Sequence, residues 1–568
     1  MTEKKMTGYP SIDKPWLKYH NPNAYDSPMP QKTAYEYLWE NNKEHLEDVA
    51  LEYYGRKVTY KELFANIERT AASFSAIGVK EGDVTAILSV TTPEVIYCFY
   101  ALNRLGAVAN MIDPRTNLER IRDYLKNSNT KHIVAIDKCM PIISRIKRDG
   151  FNGEVIVISP RDSLSPVMKL GYTLKNKPEK IVDGIKWDKF IKLAAPISDV
   201  TYKNGRTAAI VYTGGTTGVP KGAMLSDDTF NAIGFQYILL KTEYHREQIF
   251  LDIMPPFIAY GLVCGIHMPL ILGFTIVIIP LFNPDEFDKL VVKYRPQHIF
   301  GVPSHYEKLA VSPKMHNYDL SFLINAGAGG DAFSVQMEKD INAFLKEHHC
   351  KFGILKGYGM TEIGSVAVIC FDNVKKIGSV GVPHCKTVVS TFEPDTDKEL
   401  KYNQMGEICL STPAVMVGYM GNEEETNKVI LKHSDGTIWI HTGDLGYVDE
   451  DGFVYIKGRM KRMIIRPDGH NVFPSAIENV ISEHPSVDGC VVVGKSDASY
   501  TSGTWPVAFV VLKPEYRGQE EALLDIKRMC DEKLPPRDTA TEFFEIQSIP
   551  LTSIGKIDYR ALEKKANQ

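Results

Sequence analysis

Residues Tyr212–Gly222 read Tyr-Thr-Gly-Gly-Thr-Thr-Gly-Val-Pro-Lys-Gly and follow the apolar run Ala208–Val211, which has the character of a short buried strand. Glycines let backbone N–H groups close on an anion, threonine hydroxyls add donors, and Lys221 brings a movable positive charge, so the segment is suited to holding phosphate. Its spacing is not that of the nucleotide P-loop. Pro220 stands directly before the lysine and Gly222 follows it, which leaves no Ser or Thr hydroxyl for a metal ion. The bland alternative is a Gly/Thr-rich connection, and the density of donors in one turn weighs against it.

Two later segments carry matching chemistry. Phe352–Lys356 reads as a strand and runs into Gly357-Tyr358-Gly359-Met360-Thr361-Glu362. The Tyr358 ring can stack on a purine, the Thr361 hydroxyl can reach a phosphate oxygen, and the Glu362 carboxylate is a natural Mg²⁺ ligand beside phosphates. Further on, Thr442-Gly443-Asp444-Leu445 precedes a hairpin through Asp451-Gly452 to Phe453–Ile456, ending in Gly458-Arg459. A carboxylate suits a ribose because it accepts from both hydroxyls. Alone, Asp444 reads as a turn residue and Arg459 as a solvated charge; their order and spacing shift that reading.

In this order the segments resemble the signature motifs of the adenylate-forming superfamily, which holds acyl-CoA synthetases, luciferases and the adenylation domains of peptide synthetases. The resemblance runs from Thr213 to Lys556 and covers nearly the whole chain. It implies that Thr213, Gly214, Gly215, Thr216, Thr217, Gly218 and Lys221 handle phosphate. Gly327, Gly329 and Gly330 then approach the adenine and the acyl pocket, while Gly357, Tyr358 and Gly359 meet the adenine. Thr361 faces the α-phosphate, Glu362 the metal, Asp444 the ribose, and Arg459 the ribose and phosphates, with Tyr455 completing the nucleotide set. Phe257, Ile258, Ala259 and Tyr260 line the acyl pocket. Lys556 matches the C-terminal lysine that contacts the carboxylate and α-phosphate, and with Thr361, Arg459 and Lys221 it forms the expected catalytic set. Lys461 falls at the hinge, and Gly469 and His470 on the face that meets coenzyme A. There are departures: Gly214 replaces a common Ser, and Asp331 a small residue or Pro. Ile258 stands where many members carry His and where α-amino-acid-activating domains carry Asp, which argues against an α-amino acid.

A chain of 568 residues is too long for one core. From Val84 onward apolar strands alternate with helices (strand Val84–Val90, helix near Pro93–Leu105, strand Ala107–Ile112, helix Asn117–Asn127, strand His132–Ile136), the pattern of α/β layering around a largely parallel sheet. The expected fold is therefore α/β. With the resemblance added, it is a large multi-layered N-terminal AMP-binding domain over residues 1–460, with β-sheets flanked by helices, and a small mobile α+β C-terminal domain over 461–568. Pro10–Pro28 reads as an arm laid across the surface, and Pro160–Asn204 as a Lys-rich surface excursion without chemistry. Leu262–Phe282 is long enough to span a bilayer, but Pro269, Gly273 and Pro280 interrupt it, so it reads as a buried helix, a turn and a buried strand.

A net charge of −4 gives no global field for nucleic acid. The nine cysteines are scattered without a Cys-x-x-Cys pair, which fits reduced thiols in a cytoplasmic setting, and Met1–Asp13 lacks the apolar core of a secretory signal. The function implied by the resemblance is a ligase that uses ATP and Mg²⁺ to make an acyl-adenylate with release of pyrophosphate, then passes the acyl group to coenzyme A. The apolar residues Ile258 and Ala259, with Tyr260, favour a fatty or other hydrophobic acid and a place in fatty acid metabolism, with aromatic and betaine-type acids still open. Three alternatives stand beside it: a phosphopantetheine carrier protein as acceptor in trans, a luciferase-like oxygenase, and a catalytically silent binding protein. A homodimer is compatible with this reading, and no membrane span or nucleic-acid partner is expected.

Overall fold

The computed structural model describes residues 6–175, 183–213, 220–240, 242–331, 333–497, 499, 503–551 and 557–568. Two large sheets and a smaller one make up the bulk of it. The eight-stranded sheet runs in the order Gly418–Tyr419, Gly222–Ser226, Thr207–Tyr212, Val108–Ile112, Val84–Leu88, Thr130–Ile136, Val155–Ile158 and Ile185–Lys186, and its six members from Thr207–Tyr212 onward are parallel. The nine-stranded sheet has Ile354–Tyr358, Asn325–Ala328, His298–Gly301, Ile249–Asp252, Thr275–Ile278 and Val49–Tyr53 as parallel neighbours at its centre. Strands this apolar must be covered on both faces. Helix Pro93–Arg104 provides such cover: Pro93 to Asn103 are all buried, and Val95 to Leu102 belong to one apolar core shared with both sheets.

Local chemistry sets the helix starts. Thr33, Thr59 and Ser226 each cap a helix, their hydroxyls accepting from the backbone N–H three residues on while Glu36, Glu62 and Thr229 reach back. The Val49–Tyr53 and Arg56–Thr59 hairpin turns at Tyr54-Gly55, both with positive φ. Leu262–Phe282 is a wide-turned π-helix (Tyr260–His267) continued by Met268–Ile271, a turn, and the buried strand Thr275–Ile278. No described helix is long and apolar enough to cross a membrane.

The third sheet joins Val388–Phe392, Gly406–Ser411, Ile438–Val448, Ile430–Lys432 and Val454–Arg459. C-terminal to it, helices Pro474–Ser482 and Glu520–Lys533 pack on the strands Val487–Ser496, Thr504–Leu512 and Glu542–Glu545 around a core drawn from residues beyond Ile464.

Two expectations need correction. The arm Pro10–Pro28 is not laid on the surface: Trp16 is fully buried, its indole N–H donates to the Tyr25 hydroxyl (3.0 Å), and His20 is buried against Pro383. An indole has too much apolar area to leave in water once a groove is within reach. Nor is Pro160–Asn204 irregular throughout. It forms helix Pro166–Lys175, adds the edge strand Ile185–Lys186 to the eight-stranded sheet, and buries Trp187 and Phe190. The lysines masked an apolar spacing. Trp16→Ala is expected to cost about 3–5 kcal/mol through the cavity it leaves. Urea unfolding would test this, and a loss below about 1 kcal/mol would mean that the arm is dispensable to the core.

Candidate functional site

Strand ends and loops from all three N-terminal sheets meet at one cleft of ≈ 3940 Å³. One wall follows the strand Ile354–Tyr358. Buried Lys356 on this strand pairs with buried Glu338 of helix Val335–Glu347 (2.5 Å), and Glu338 also accepts from the Gly378 N–H (2.8 Å). That pair fixes the strand and hence the ring of Tyr358 after it. The backbone here has no room for side chains: a Cβ on Gly359 would lie 1.9 Å from the Ser365 carbonyl oxygen, and one on Gly329 would lie 2.8 Å from that of Gly357. Close backbone approach explains the glycines better than a turn alone.

The Tyr358 hydroxyl donates to Asp444 Oδ2 (2.6 Å), and Arg459 Nε lies 2.9 Å from Asp444 Oδ1. Arg459 Nη1 also donates to the Thr442 carbonyl (2.9 Å). Asp444 and Arg459 are direct partners on antiparallel strands, so the pairing is written into the register. Burial raises the Asp444 pKa above the usual carboxylate value, while Arg459 and Tyr358 oppose the rise; burial also pushes the Tyr358 phenol well up, which keeps it a donor. Glu407 supports the turn from below, with one carboxylate oxygen accepting from the Gly443 N–H (2.9 Å) and the other 2.8 Å from His441 Nδ1.

Lys221 lies on the same cleft. Its ammonium pairs with Glu425 (2.8 Å) and sits over the Tyr419 ring at 4.2 Å. Lys221 and then Lys428 hold the Glu425 carboxyl down at about 2, so the carboxylate stays ionised through the neutral range. The Tyr419 hydroxyl donates to Glu362, which is nearly buried and lines the cleft, as does Thr361. The Thr213 N–H donates to the Lys221 carbonyl (2.9 Å). Gly214, Gly215, Thr216, Thr217, Gly218 and Lys556 lie outside the described residues.

Phe257, Ile258, Ala259, Tyr260 and Gly327 line the cleft together with Tyr237, Tyr244, Cys264, Phe300 and Ile369. The chain can turn so sharply there because Gly261 packs on the Pro255 carbonyl, where a Cβ would come within 1.9 Å. Asn325 is a polar departure in this apolar end: its amide donates to the Tyr244 hydroxyl (3.0 Å), and its Oδ1 is buried without a protein partner.

The structure thus brings Thr213, Lys221, Gly327, Gly329, Gly330, Gly357, Tyr358, Gly359, Thr361, Glu362, Asp444, Arg459 and Lys461 to one cleft. Tyr455 is a correction. A residue inserted between Ile456 and Gly458 bulges the strand, Ile456 takes the cleft side, and the Tyr455 ring stacks on Tyr447 (4.7 Å). Gly469 and His470 sit apart on the small hairpin Ile464–Ile465 with Asn471–Val472, the His470 ring meeting Asp538 (2.5 Å), and they do not line the cleft. The motifs did not reveal Glu407, Tyr419 or Glu425. Their roles depend on partners 34 to 204 residues distant.

Among protein families, the description "AMP-binding enzyme" matches residues 38–420, and "AMP-binding enzyme C-terminal domain" matches residues 476–556. A long-chain-fatty-acid–CoA ligase of Bacillus subtilis (strain 168) is 29% identical, covering 97% of this chain and 97% of the relative. A 4-coumarate–CoA ligase of Arabidopsis thaliana is 30% identical over 90% of this chain and 88% of its own length. In fold, ATP-bound MatB from Rhodopseudomonas palustris superposes with a TM-score of 0.81 at 23% identity, over 94% of this chain and 99% of that one.

The strand geometry makes a direct test. Ile456→Ala is expected to weaken ATP binding about 3- to 10-fold through lost contact area, whereas Tyr455→Ala should leave it within about twofold. Calorimetric titration with ATP decides, and the reverse order of effects would put Tyr455 at the nucleotide.

Proposed function

Because the chain belongs to the AMP-binding enzyme family, we propose that it is an AMP-forming acid–thiol ligase, activating a carboxylic acid with ATP and passing the acyl group to coenzyme A. The observation that carries this reading is a single cleft with a polar half around Tyr358, Asp444, Arg459, Lys221 and Glu362, and an apolar half around Phe257–Tyr260 and Gly327. Asp444 accepts the ribose hydroxyls, giving up part of its pairing with Tyr358 and Arg459. Tyr358 offers its ring to the adenine. Phosphate oxygens take the place of the Glu425 carboxylate on Lys221, and Thr361 adds a hydroxyl.

Glu362 has the chemistry of a Mg²⁺ site. It offers one hard oxygen at the cleft while Tyr419 engages the other, and Mg²⁺ prefers to keep waters and substrate phosphates for its remaining positions. When bound, the ion offsets phosphate charge. Attack of a carboxylate on the α-phosphate joins two anions, so the protein's part is placement and charge neutralisation by Lys221, Arg459 and Lys556. The thiol of coenzyme A then attacks the acyl-adenylate carbonyl and AMP leaves. Gly469 and His470 lie off the cleft in this arrangement. Rotation of residues 461–568 about Lys461 exchanges the Lys556 loop for the Gly469 face between half-reactions.

The apolar half favours a fatty or other hydrophobic acid, and the full-length similarity to a long-chain-fatty-acid–CoA ligase supports that class. The similarity to 4-coumarate–CoA ligases keeps an aromatic acid as a second reading, favoured by the unpaired Asn325 Oδ1 as an acceptor for a ring hydroxyl. All nine cysteines are free, in keeping with a cytoplasmic setting. Coenzyme A is preferred to a carrier protein as acceptor because the relatives are named as CoA ligases.

A panel of carboxylic acids, scored for pyrophosphate release dependent on ATP and coenzyme A, identifies the substrate; no release with any acid would defeat the proposal. Asp444→Ala is expected to weaken ATP binding about 10- to 100-fold by removing charge-assisted hydrogen bonds; unchanged affinity would remove the ribose assignment. Lys556→Ala should abolish pyrophosphate exchange yet spare thioester formation from presynthesised acyl-adenylate, and equal loss of both in a folded variant would contradict the division of labour.

A further inference from the structure

Helix Pro166–Lys175 turns its apolar side away from the protein. At 3.6 residues per turn, Val167, Leu170 and Leu174 fall on one side and Tyr172 on the opposite side. Tyr172 packs against the main core, while Val167, Leu170 and Leu174 are 81%, 65% and 80% exposed. Scattered exposed apolar residues are ordinary, but a helical stripe of them facing water requires a partner.

The stripe is fixed in place and continues toward the cleft. The Tyr53 hydroxyl donates to the Pro160 carbonyl (2.7 Å) and Arg56 Nη1 to that of Ser163 (3.2 Å), tying the lead-in of the helix to the Val49–Thr59 hairpin. Tyr54 at the tip of that hairpin, Tyr172 at the root of the helix, and the exposed Leu281 and Val311 all line the cleft. Leu281 follows the strand Thr275–Ile278, the parallel neighbour of Val49–Tyr53, which puts it at the same end as Tyr54.

Of the described charges near the stripe, Lys169, Lys138 and Arg161 are positive, and Asp137, buried, and Asp162, half-buried, are negative. An apolar stripe whose exposed charged neighbours among the described residues are Lys169 and Lys138 has the make-up of a helix that lies in the headgroup plane of an anionic bilayer. A second copy fits less well, because a twofold contact through this helix would bring the two Lys169 side chains toward each other.

We propose that helix Pro166–Lys175 docks the cleft mouth onto an anionic lipid surface, so that a hydrophobic acid dissolved in that surface enters the cleft past Tyr54 and Leu281 without crossing water. The entry step rests on the hydrophobic-acid reading above, whereas the docking stands on the helix alone.

The test is flotation of the full-length protein with vesicles of phosphatidylcholine alone and of phosphatidylcholine mixed with phosphatidylglycerol. The wild type is expected to float with the mixed vesicles, less with neutral ones, and less as salt rises. The triple variant Val167→Asp/Leu170→Asp/Leu174→Asp should bind about tenfold or more weakly, with unchanged ATP–pyrophosphate exchange on a water-soluble short-chain acid. Wild type that stays in solution with both vesicles, or a variant that floats equally well, overturns the proposal. A wild-type dimer that the variant dissolves, without vesicle binding, assigns the face to self-association and also overturns it. Absence of exchange with every acid would strike the ligase reading and leave the flotation result standing.

Discussion

A carboxylate taken out of water must be paired, and Asp444, only 5% exposed, satisfies that demand with the Tyr358 hydroxyl and the Arg459 guanidinium. Tyr358 comes from the C-terminal end of a strand in the nine-stranded sheet, while Asp444 and Arg459 come from adjacent strands of the smaller sheet. Removing either partner would leave a buried charge short of compensation, so the two sheets are held in one relative position. The polar half of the cleft is thereby assembled before any ligand arrives, and little ordering remains to oppose binding.

The phosphate side follows the same logic with a looser grip. Lys221 and Glu425 are each about one-third exposed, so their ion pair is screened and contributes little to stability. Tyr419 links this pair to Glu362, lying under the Lys221 ammonium while its hydroxyl donates to the carboxylate. Charge on this side of the cleft is thus held in pairs.

Much of this was legible in the sequence, for physical reasons that differ from residue to residue. Close backbone approach can be met only by glycine, so Gly329 and Gly359 stand out in any reading of the chain. The alternation of apolar strands with helices from Val84 onward gave away the layers. What escaped was non-local. The bulge that exchanges Tyr455 for Ile456 at the cleft depends on the register with a neighbouring strand, and Glu407, Tyr419 and Glu425 take their meaning from partners far away in the chain. Trp16 and the Trp187–Phe190 pair were misplaced because prolines and lysines around them imitate an exposed segment. The same composition concealed the helix Pro166–Lys175.

The central claim is that one nucleotide bridges these separate segments. A crystal structure of the protein with ATP and Mg²⁺ tests it most directly. The account predicts the ribose hydroxyls within hydrogen-bonding distance of Asp444, the adenine against Tyr358, and the phosphates between Lys221 and Glu362. ATP bound in another cleft, with the Tyr358–Asp444–Arg459 cluster untouched, would contradict it.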